Sequence, residues 1–398
     1  MVAAEIGLSL VLLVACGLML KTLFALRHVP LGFRTDHVLV VEPKLPDYKF
    51  RNVDVNQTVY TPLLDRIRQI HGVQAASFST VMPLRNNFDM MFMLHGSRSN
   101  KTTGENGAFK IEAKMKAVGR DLQKVLGFRM AEGRFFNEQD TPESEQVLVV
   151  NKAFAKLYAP EGSISDNFSL SFGKNGHARV VGVIDDFHQV GVDKPAAPEI
   201  DLCADQMRAG DGLYQPTMLA HADFAIRSSV PPQQLMADLR RVMVDLNPEL
   251  QASEIMTMDQ VVEDSLGSQL LAAHLLEIFA GAALGVALAG LFGLLTYLVG
   301  QRTHELGIRL ALGAQRETIL AMILKQATVM LALGAAMGIA LAWFATRLLA
   351  SFLFGVRAHD LWTIASVSLV LLISGMLAAY IPARRAAQVN PLEALRAE

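Results

Sequence analysis

The chain has 398 residues, 52% of them hydrophobic, with a net charge of −2 and 2 cysteines. So small a charge gives no global field to attract nucleic acid, and the length allows two or three domains. The apolar residues fall into four stretches nearly free of charge, and a mixed-polarity middle separates the first from the other three. That distribution predicts a membrane protein with one large soluble domain.

Ile6 to Leu26 is the first apolar run, interrupted only by Lys21. It is long enough to cross a bilayer core, and Lys21 near its end can snorkel to the headgroups. A cleaved signal peptide is the competing reading. No Lys or Arg precedes the run and no small-x-small cleavage site closely follows it, so a retained helix over residues 1–26 is expected. Almost no chain precedes that helix, which reads as a truncated frame or half of a duplicated ancestor. Cys16 lies in this run and Cys203 in the soluble middle, so they are read as unpaired, inert side chains.

Residues 27–268 form the middle. Val38–Glu42 reads as a strand, Tyr60–Ile70 as a helix stopped at Gly72, and Val73–Ser79 as the next strand. Asn86–Gly107 is polar and Met-rich and reads as loop, with strand character at Asp89–Leu94. A strand at Gln146–Val150 leads into a helix at Lys152–Tyr158, and Ala178–Ile184 and Phe224–Arg227 are strands. Gln233–Leu246 is an amphipathic helix introduced by Pro231-Pro232. This irregular alternation predicts an α+β domain.

Residues 269–398 hold the other apolar runs. Ser265–Ala273 is a polar approach, and Ile278–Val299 is uncharged. Gly281, Gly285, Ala289 and Gly293 recur every fourth residue, a stripe of small side chains that lets another helix come close. Gln326–Thr346 repeats the pattern with Gly334, Gly338 and Ala342. Arg347–Asp360 reads as a short turn, and Leu361–Ala383 as the last span. The fold expected is therefore a membrane α-helical protein of four transmembrane helices, with a large extracytoplasmic α+β domain inserted between helices 1 and 2.

Between the second and third runs lies Gln301–Arg316. Arg302 and Arg309 fall on one helix face, and Glu305 precedes Arg309 by four residues, the favourable order for an ion pair. Leu306 with Leu310, and Ile308 with Leu312, give the segment an apolar side, and Gly313 is a C-terminal stop. The physics describes a short amphipathic helix where membrane meets water, or a basic loop that only obeys the positive-inside rule. Arg302, Arg309, Arg316 and Lys325 here, and Arg384, Arg385 and Arg396 in the tail, place both segments in the cytoplasm. Four crossings then put both termini inside and residues 27–268 outside.

The string Glu305-Leu-Gly-Ile-Arg-Leu-Ala-Leu-Gly-Ala314 resembles the signature of the MacB/FtsX-type ABC permeases, E-[IL]-G-I-R-x-A-L-G-A. Other stretches resemble the same family. These are Glu5–Leu18 as its first helix, and Gly133-Arg134 through Asp140 as its G-R-x-F-x-x-x-D turn. Val149–Phe154 matches its V-V-N-x-A-x, Val180–Asp186 its V-V-G-V-x-x-D, and Asn390–Arg396 its N-P-x-x-A-L-R tail. Two places depart from it: the aromatic before the turn at Leu126-Gly127 is missing, and Asn86–Gly107 has no counterpart.

The resemblance implies a permease subunit in a bacterial plasma (inner) membrane that works with a separate cytoplasmic ABC ATPase. Glu305, Gly307, Arg309, Ala311, Gly313 and Ala314 would meet that ATPase. Two permease subunits, alike or different, would pair, and the external domain would move or meet a periplasmic partner. Variants of this reading are a regulator of a cell-wall hydrolase, a lipoprotein-release subunit, and an orphan permease without its own ATPase. A membrane-anchored sensor would need a cytoplasmic signalling domain, and none follows Arg385.

No cofactor or catalytic site is expected. A phosphate-cradling loop needs G-x-x-x-x-G-K-[ST], and Gly96–Thr103 lacks its second glycine. His304-Glu305 is not part of an H-E-x-x-H, and no G-x-S-x-G occurs. Asp185, Asp186 and His188 are the best candidate metal ligands, but they read as a solvated turn. The predicted spans hold no Asp or Glu, so no proton relay is expected.

Overall fold

A computed structural model describes residues 1–44, 54–85, 91–99, 106–159, 168–170, 178–207, 222–246, 251–312, 315–349, 353–356 and 360–388. It divides into two compact units, one of residues 1–29 with 267–398 and the other of residues 30–266.

In chain order the elements begin with α1 (Val2–Arg27), β1 (Val38–Lys44), α2 (Thr61–Arg68), β2 (Val73–Ser79), β3 (Met91–Ser99) and β4 (Asn106–Val118). Then come α3 (Leu122–Leu126), β5 (Met130–Gly133), β6 (Val147–Asn151), α4 (Lys152–Tyr158), β7 (Phe168–Leu170), β8 (Ala178–Ile184) and β9 (Glu199–Cys203). The last soluble elements are β10 (Asp223–Ser228), α5 (Pro232–Leu246), β11 (Gln251–Thr257) and α6 (Met258–Ser265). The chain ends with α7 (Gly267–Gln301), α8 (Thr303–Ala311), α9 (Arg316–Leu349) and α10 (Leu361–Ala387).

The 30–266 unit joins two patterns in one sheet. Strands β11-β1-β10-β2 lie side by side, all antiparallel, and α2 and α5 connect them as β-α-β and β-α-β. This is the split β-α-β arrangement, with everything between β2 and β10 inserted into it. Both helices face one core. Tyr60, Phe78 and Phe224 pack with centroids 4.9, 5.1 and 5.8 Å apart, and Leu63, Ile67, Leu235 and Leu239 close over them.

The inserted strands form a ring. β4 pairs with β3, β3 with β7, β7 with β8, β8 with β6 and β6 with β9, and β9 returns to pair with β4 in parallel. The strand expected at Asp89–Leu94 is present as part of β3, and the long hairpin β3–β4 corrects the reading of the rest of Asn86–Gly107 as loop. Met91–Ser99 pairs in unbroken register with Lys114–Asn106. Farther along β4 the two-residue alternation is explicit: Ile111, Ala113, Met115 and Ala117 are buried, while Glu112 is exposed. Residues 86–90 and 100–105 lie outside the described residues.

Three of the motif stretches meet here. Gly133 and Gly182 are paired across β5 and β8. Gly133 has φ +66°, and a Cβ on either glycine would run into backbone oxygen, that of Val181 or of Arg134. Arg134 then grips Asp140 through both guanidinium nitrogens at 2.7 Å, and Asp140 also accepts from the Asn137 amide at 2.8 Å. Burial raises the Asp140 carboxyl, but these donors outweigh it and hold it below the ordinary carboxylate range. Asn151 caps α4 by accepting from Phe154 N–H at 2.9 Å, and it accepts from Glu199 N–H at 3.0 Å.

The other unit is built from the long helices α1, α7, α9 and α10, each long and apolar enough to cross a membrane. Its outward surface carries Phe24, Ile278, Phe279, Val286, Leu333, Phe344, Leu369 and Leu377, all exposed. An apolar belt of that size suits lipid, not water. α1 crosses α9 where Gly7 meets Gly334 and Gly338. A Cβ at 338 would lie 2.8 Å from the Gly7 oxygen and 2.8 Å from Leu10 Cβ. Bare backbone is what permits this approach. Lys21, expected to snorkel, is paired with Asp360 at 2.7 Å. Asp360 in turn caps α10 by accepting from Thr363 N–H at 3.2 Å.

One expectation about the spans needs correcting. α1 starts at Val2, so Glu5 lies within it, and its carboxylate sits against Gly290 of α7. The apolar run begins one residue later, which is why the sequence reading left Glu5 out. α7 is also helical from Gly267, through the stretch read as a polar approach.

Candidate functional site

The chemistry-bearing segment between the second and third membrane helices is α8. It starts after a break at Arg302, where Thr303 Oγ1 donates to Val299 O at 3.0 Å and to Gly300 O at 2.9 Å. Those bonds hold the end of α7 while the chain turns. Leu306 is then buried at 2% exposure, beside a small hollow that it lines together with Leu295, Leu298, Val299, Arg302, Met322, Ile323 and Gln326. Among the described side chains of α8 it is the one that anchors the helix.

The opposite face is turned outward. Glu305 and Arg309 are about half exposed and form an ion pair at 2.6 Å, one helical turn apart. Arg309 also contacts Met322 Sδ at 3.3 Å, which links α8 to the first turns of α9. Ile308 is 40% exposed, and Leu312, just past the helix, is 83% exposed. Here the structure refines the sequence reading, which gave 306/310 and 308/312 one apolar side. Residues two apart are about 200° apart around a helix. Leu306 points inward, while Ile308 and Leu312 form an outward apolar pair. That offset was the available signal for them as site residues. Gly307 and Ala311 lie on α8, and Gly313 and Ala314 fall outside the described residues.

The small-residue stripes differ in their surroundings. A Cβ at Gly334 would crowd Ile6, at 2.5 Å from its Cγ2. Gly281, Gly285 and Gly293 have nothing within 4 Å of such a Cβ, and Ala289 is likewise exposed. Within one chain, this α7 stripe is an open groove.

The three candidate metal ligands diverge. Asp185 pairs with Lys152 at 2.6 Å, Asp186 accepts from Ala153 N–H at 2.8 Å, and His188 Nδ1 lies 2.9 Å from Lys194 O. Each is committed to a separate structural contact, and no cluster of potential metal ligands occurs among the described residues.

Comparison with known proteins follows the same division of the chain. The MacB-like periplasmic core domain model matches residues 6–255, and the FtsX-like permease C-terminal model matches residues 277–391. Macrolide export ATP-binding/permease protein MacB of Agrobacterium fabrum is 26% identical over 305 residues, covering 75% of this chain and 45% of its own. The protein of the same name from Wolinella succinogenes is 24% identical over 364 residues, covering 91% of this chain and 52% of its own. The chain thus spans about half the length of these relatives. The crystal structure of the periplasmic region of MacB from Actinobacillus actinomycetemcomitans aligns with a TM-score of 0.39 at 13% identity, over 61% of this chain and 97% of that one. With the periplasmic core model spanning more than half of the sequence and the permease model most of the rest, the chain belongs to the MacB/FtsX-type ABC transporter permease family, as a multi-pass membrane protein with an extracytoplasmic domain.

Proposed function

We propose that the chain is the membrane subunit of an export-related ABC system whose ATPase is a separate cytoplasmic polypeptide. It passes ATP-driven movement across the bilayer to its external domain, so that work is done outside the membrane. The observation that carries this reading is the two-sidedness of α8. Leu306 seats the helix on the bundle, while Glu305, Ile308, Arg309 and Leu312 face outward.

A surface with a central arginine and flanking apolar side chains suits a protein groove, because Arg combines charge, planar hydrogen bonding and packing. The basic residues around α8 and at the end of α10 support a cytoplasmic position for both segments and, with four crossings, for both termini. Two subunits, alike or different, pair in the membrane, and the open stripe at Gly281, Gly285, Ala289 and Gly293 supports that pairing.

The test is co-purification of the full chain with a candidate MacB-type ATPase. Arg309→Glu places two acids one turn apart and is expected to abolish capture while leaving the protein folded and membrane-inserted. Capture equal to that of the unaltered chain would overturn the assignment of α8 as the contact.

A further inference from the structure

The ring in the external domain closes through one parallel pairing, β4 with β9, in the register Lys114↔Glu199, Lys116↔Asp201 and Val118↔Cys203. On one face of this seam the core is apolar, with Ala113, Met115 and Ala117 against Ile200 and Leu202. On the other face three charged side chains are sealed in. Lys116, Glu199 and Asp201 are 3%, 7% and 2% exposed at their side chains.

Lys116 Nζ touches the Glu199 carboxylate and lies 3.5 Å from Asp201 Oδ1. It also donates to Gln189 Oε1 at 3.2 Å and sits 4.6 Å over the Phe187 ring. Gln189 gives an N–H of its amide to Val81 O at 3.0 Å. Both Asp201 oxygens are buried without a hydrogen-bond partner.

One ammonium cannot neutralise two buried carboxylates. With a proton on one carboxyl the cluster is neutral. Without it, a net negative charge is sealed in an interior where such a charge is costly.

We propose that the Lys116–Glu199–Asp201 cluster is a proton-operated latch on the seam of the ring, holding β9 to β4 when one carboxyl is protonated and loosening that pairing when the proton leaves.

The groups facing Asp201 are few. Its own strand supplies Glu199, β4 supplies Lys116 and, opposite Glu199, the half-buried Lys114, and β6 opposes it with Val149. The loop after β8 brings Phe187 and Gln189, while its Asp185 and Asp186 are turned to α4. α4 packs on the apolar face through Phe154, with Lys152 held by Asp185 and Lys156 in solvent. Burial pushes the Cys203 thiol up to about 12, so it stays protonated. Burial also pushes the Asp201 carboxyl up to about 7, with Lys116 opposing the rise and Glu199 adding to it. Burial lowers Lys116, but the two carboxylates outweigh it and hold it above the usual lysine value, so it stays charged. A carboxyl raised in the closed form favours closure at low pH. That advantage is full below the exposed Asp value near ~3.9 and is lost as pH rises toward about 7.

Cys203 ends the seam and reports its opening. In the full chain carrying Cys16→Ala, in lipid nanodiscs, its maleimide reaction rate is divided at each pH by that of an unstructured cysteine peptide. The ratio is expected to rise on the order of 10- to 100-fold between pH 5 and pH 8, and to level above neutrality. Asp201→Asn keeps the shape and cannot ionise, so its ratio should stay low and flat. Glu199→Gln leaves a one-to-one pair and should also be flat, which covers the case in which the Asn variant fails to fold. A flat profile in the chain with both carboxylates intact, or an undiminished slope in either variant, would overturn the latch.

Discussion

Leu306→Ala isolates the seat of α8 from its outward face. The side chain is buried at 2% exposure and lines a hollow together with Leu295, Val299, Met322 and Ile323. Leucine-to-alanine changes in well-packed interiors cost roughly 2–5 kcal/mol, and the lower part of that range applies where the surroundings can collapse. The hollow beside Leu306 gives its neighbours room to relax, so we take about 2–3 kcal/mol. At about 1.4 kcal/mol per tenfold, local opening of α8 should increase roughly 30- to 150-fold. Amide hydrogen exchange of the full chain in nanodiscs reads this directly, for example at Leu306 N–H, which bonds Arg302 O at 2.9 Å. Protection in α9 and α10 should be unchanged. Leu312→Ala removes a side chain that is 83% exposed, so α8 protection should be untouched while ATPase capture weakens. Equal protection in Leu306→Ala and the unaltered chain would refute the anchoring role. So would an equal loss of protection in Leu312→Ala.

Gly338→Leu should sharply lower resistance of the bundle to denaturing detergent, because its side chain must enter space held by the Gly7 backbone oxygen and the Leu10 side chain. Gly281→Leu, with open space around it, should leave single-chain stability intact and reduce subunit pairing, read by cross-linking in membranes. The Arg134–Asp140 clasp has the opposite pH sign to the latch. Its carboxyl is held below the ordinary value, so its stabilisation is present above the unfolded pKa and is lost as pH falls through the folded one. Asp140→Asn should therefore weaken the external domain at neutral pH and flatten the acid limb of its thermal unfolding curve.

The parts legible in the sequence are those governed by local physics. The four helices follow from charge-free runs, and α5 from the spacing of Leu235, Leu239 and Met243, which are buried together. β9 was not legible. Glu199 and Asp201 alternate with Ile200 and Leu202 in the manner of an exposed strand, yet both faces are buried. Burial of the acidic face depends on Lys116, some eighty residues away, which no local window contains. The hairpin β3–β4 was hidden for a similar reason, since its polar residues suggested loop and its partner strand supplies the register. For α8, the charged face could be read directly from Glu305 and Arg309. Which leucines seat the helix and which face outward required the position of Ile323.

The way the 30–266 unit is spliced into the chain has its own consequence. β1, the first strand, and β11, the last, are neighbours, and Leu39 near the start of one lies opposite Thr257 at the end of the other. In the bundle, the end of α1 and the start of α7 are also neighbours, with Met19, Leu23 and Ala273 in one cluster. Each unit thus has its entry and exit side by side and is complete without the other. Exchange of the 30–266 unit for that of a relative is therefore expected to leave the closure of the four membrane helices unchanged.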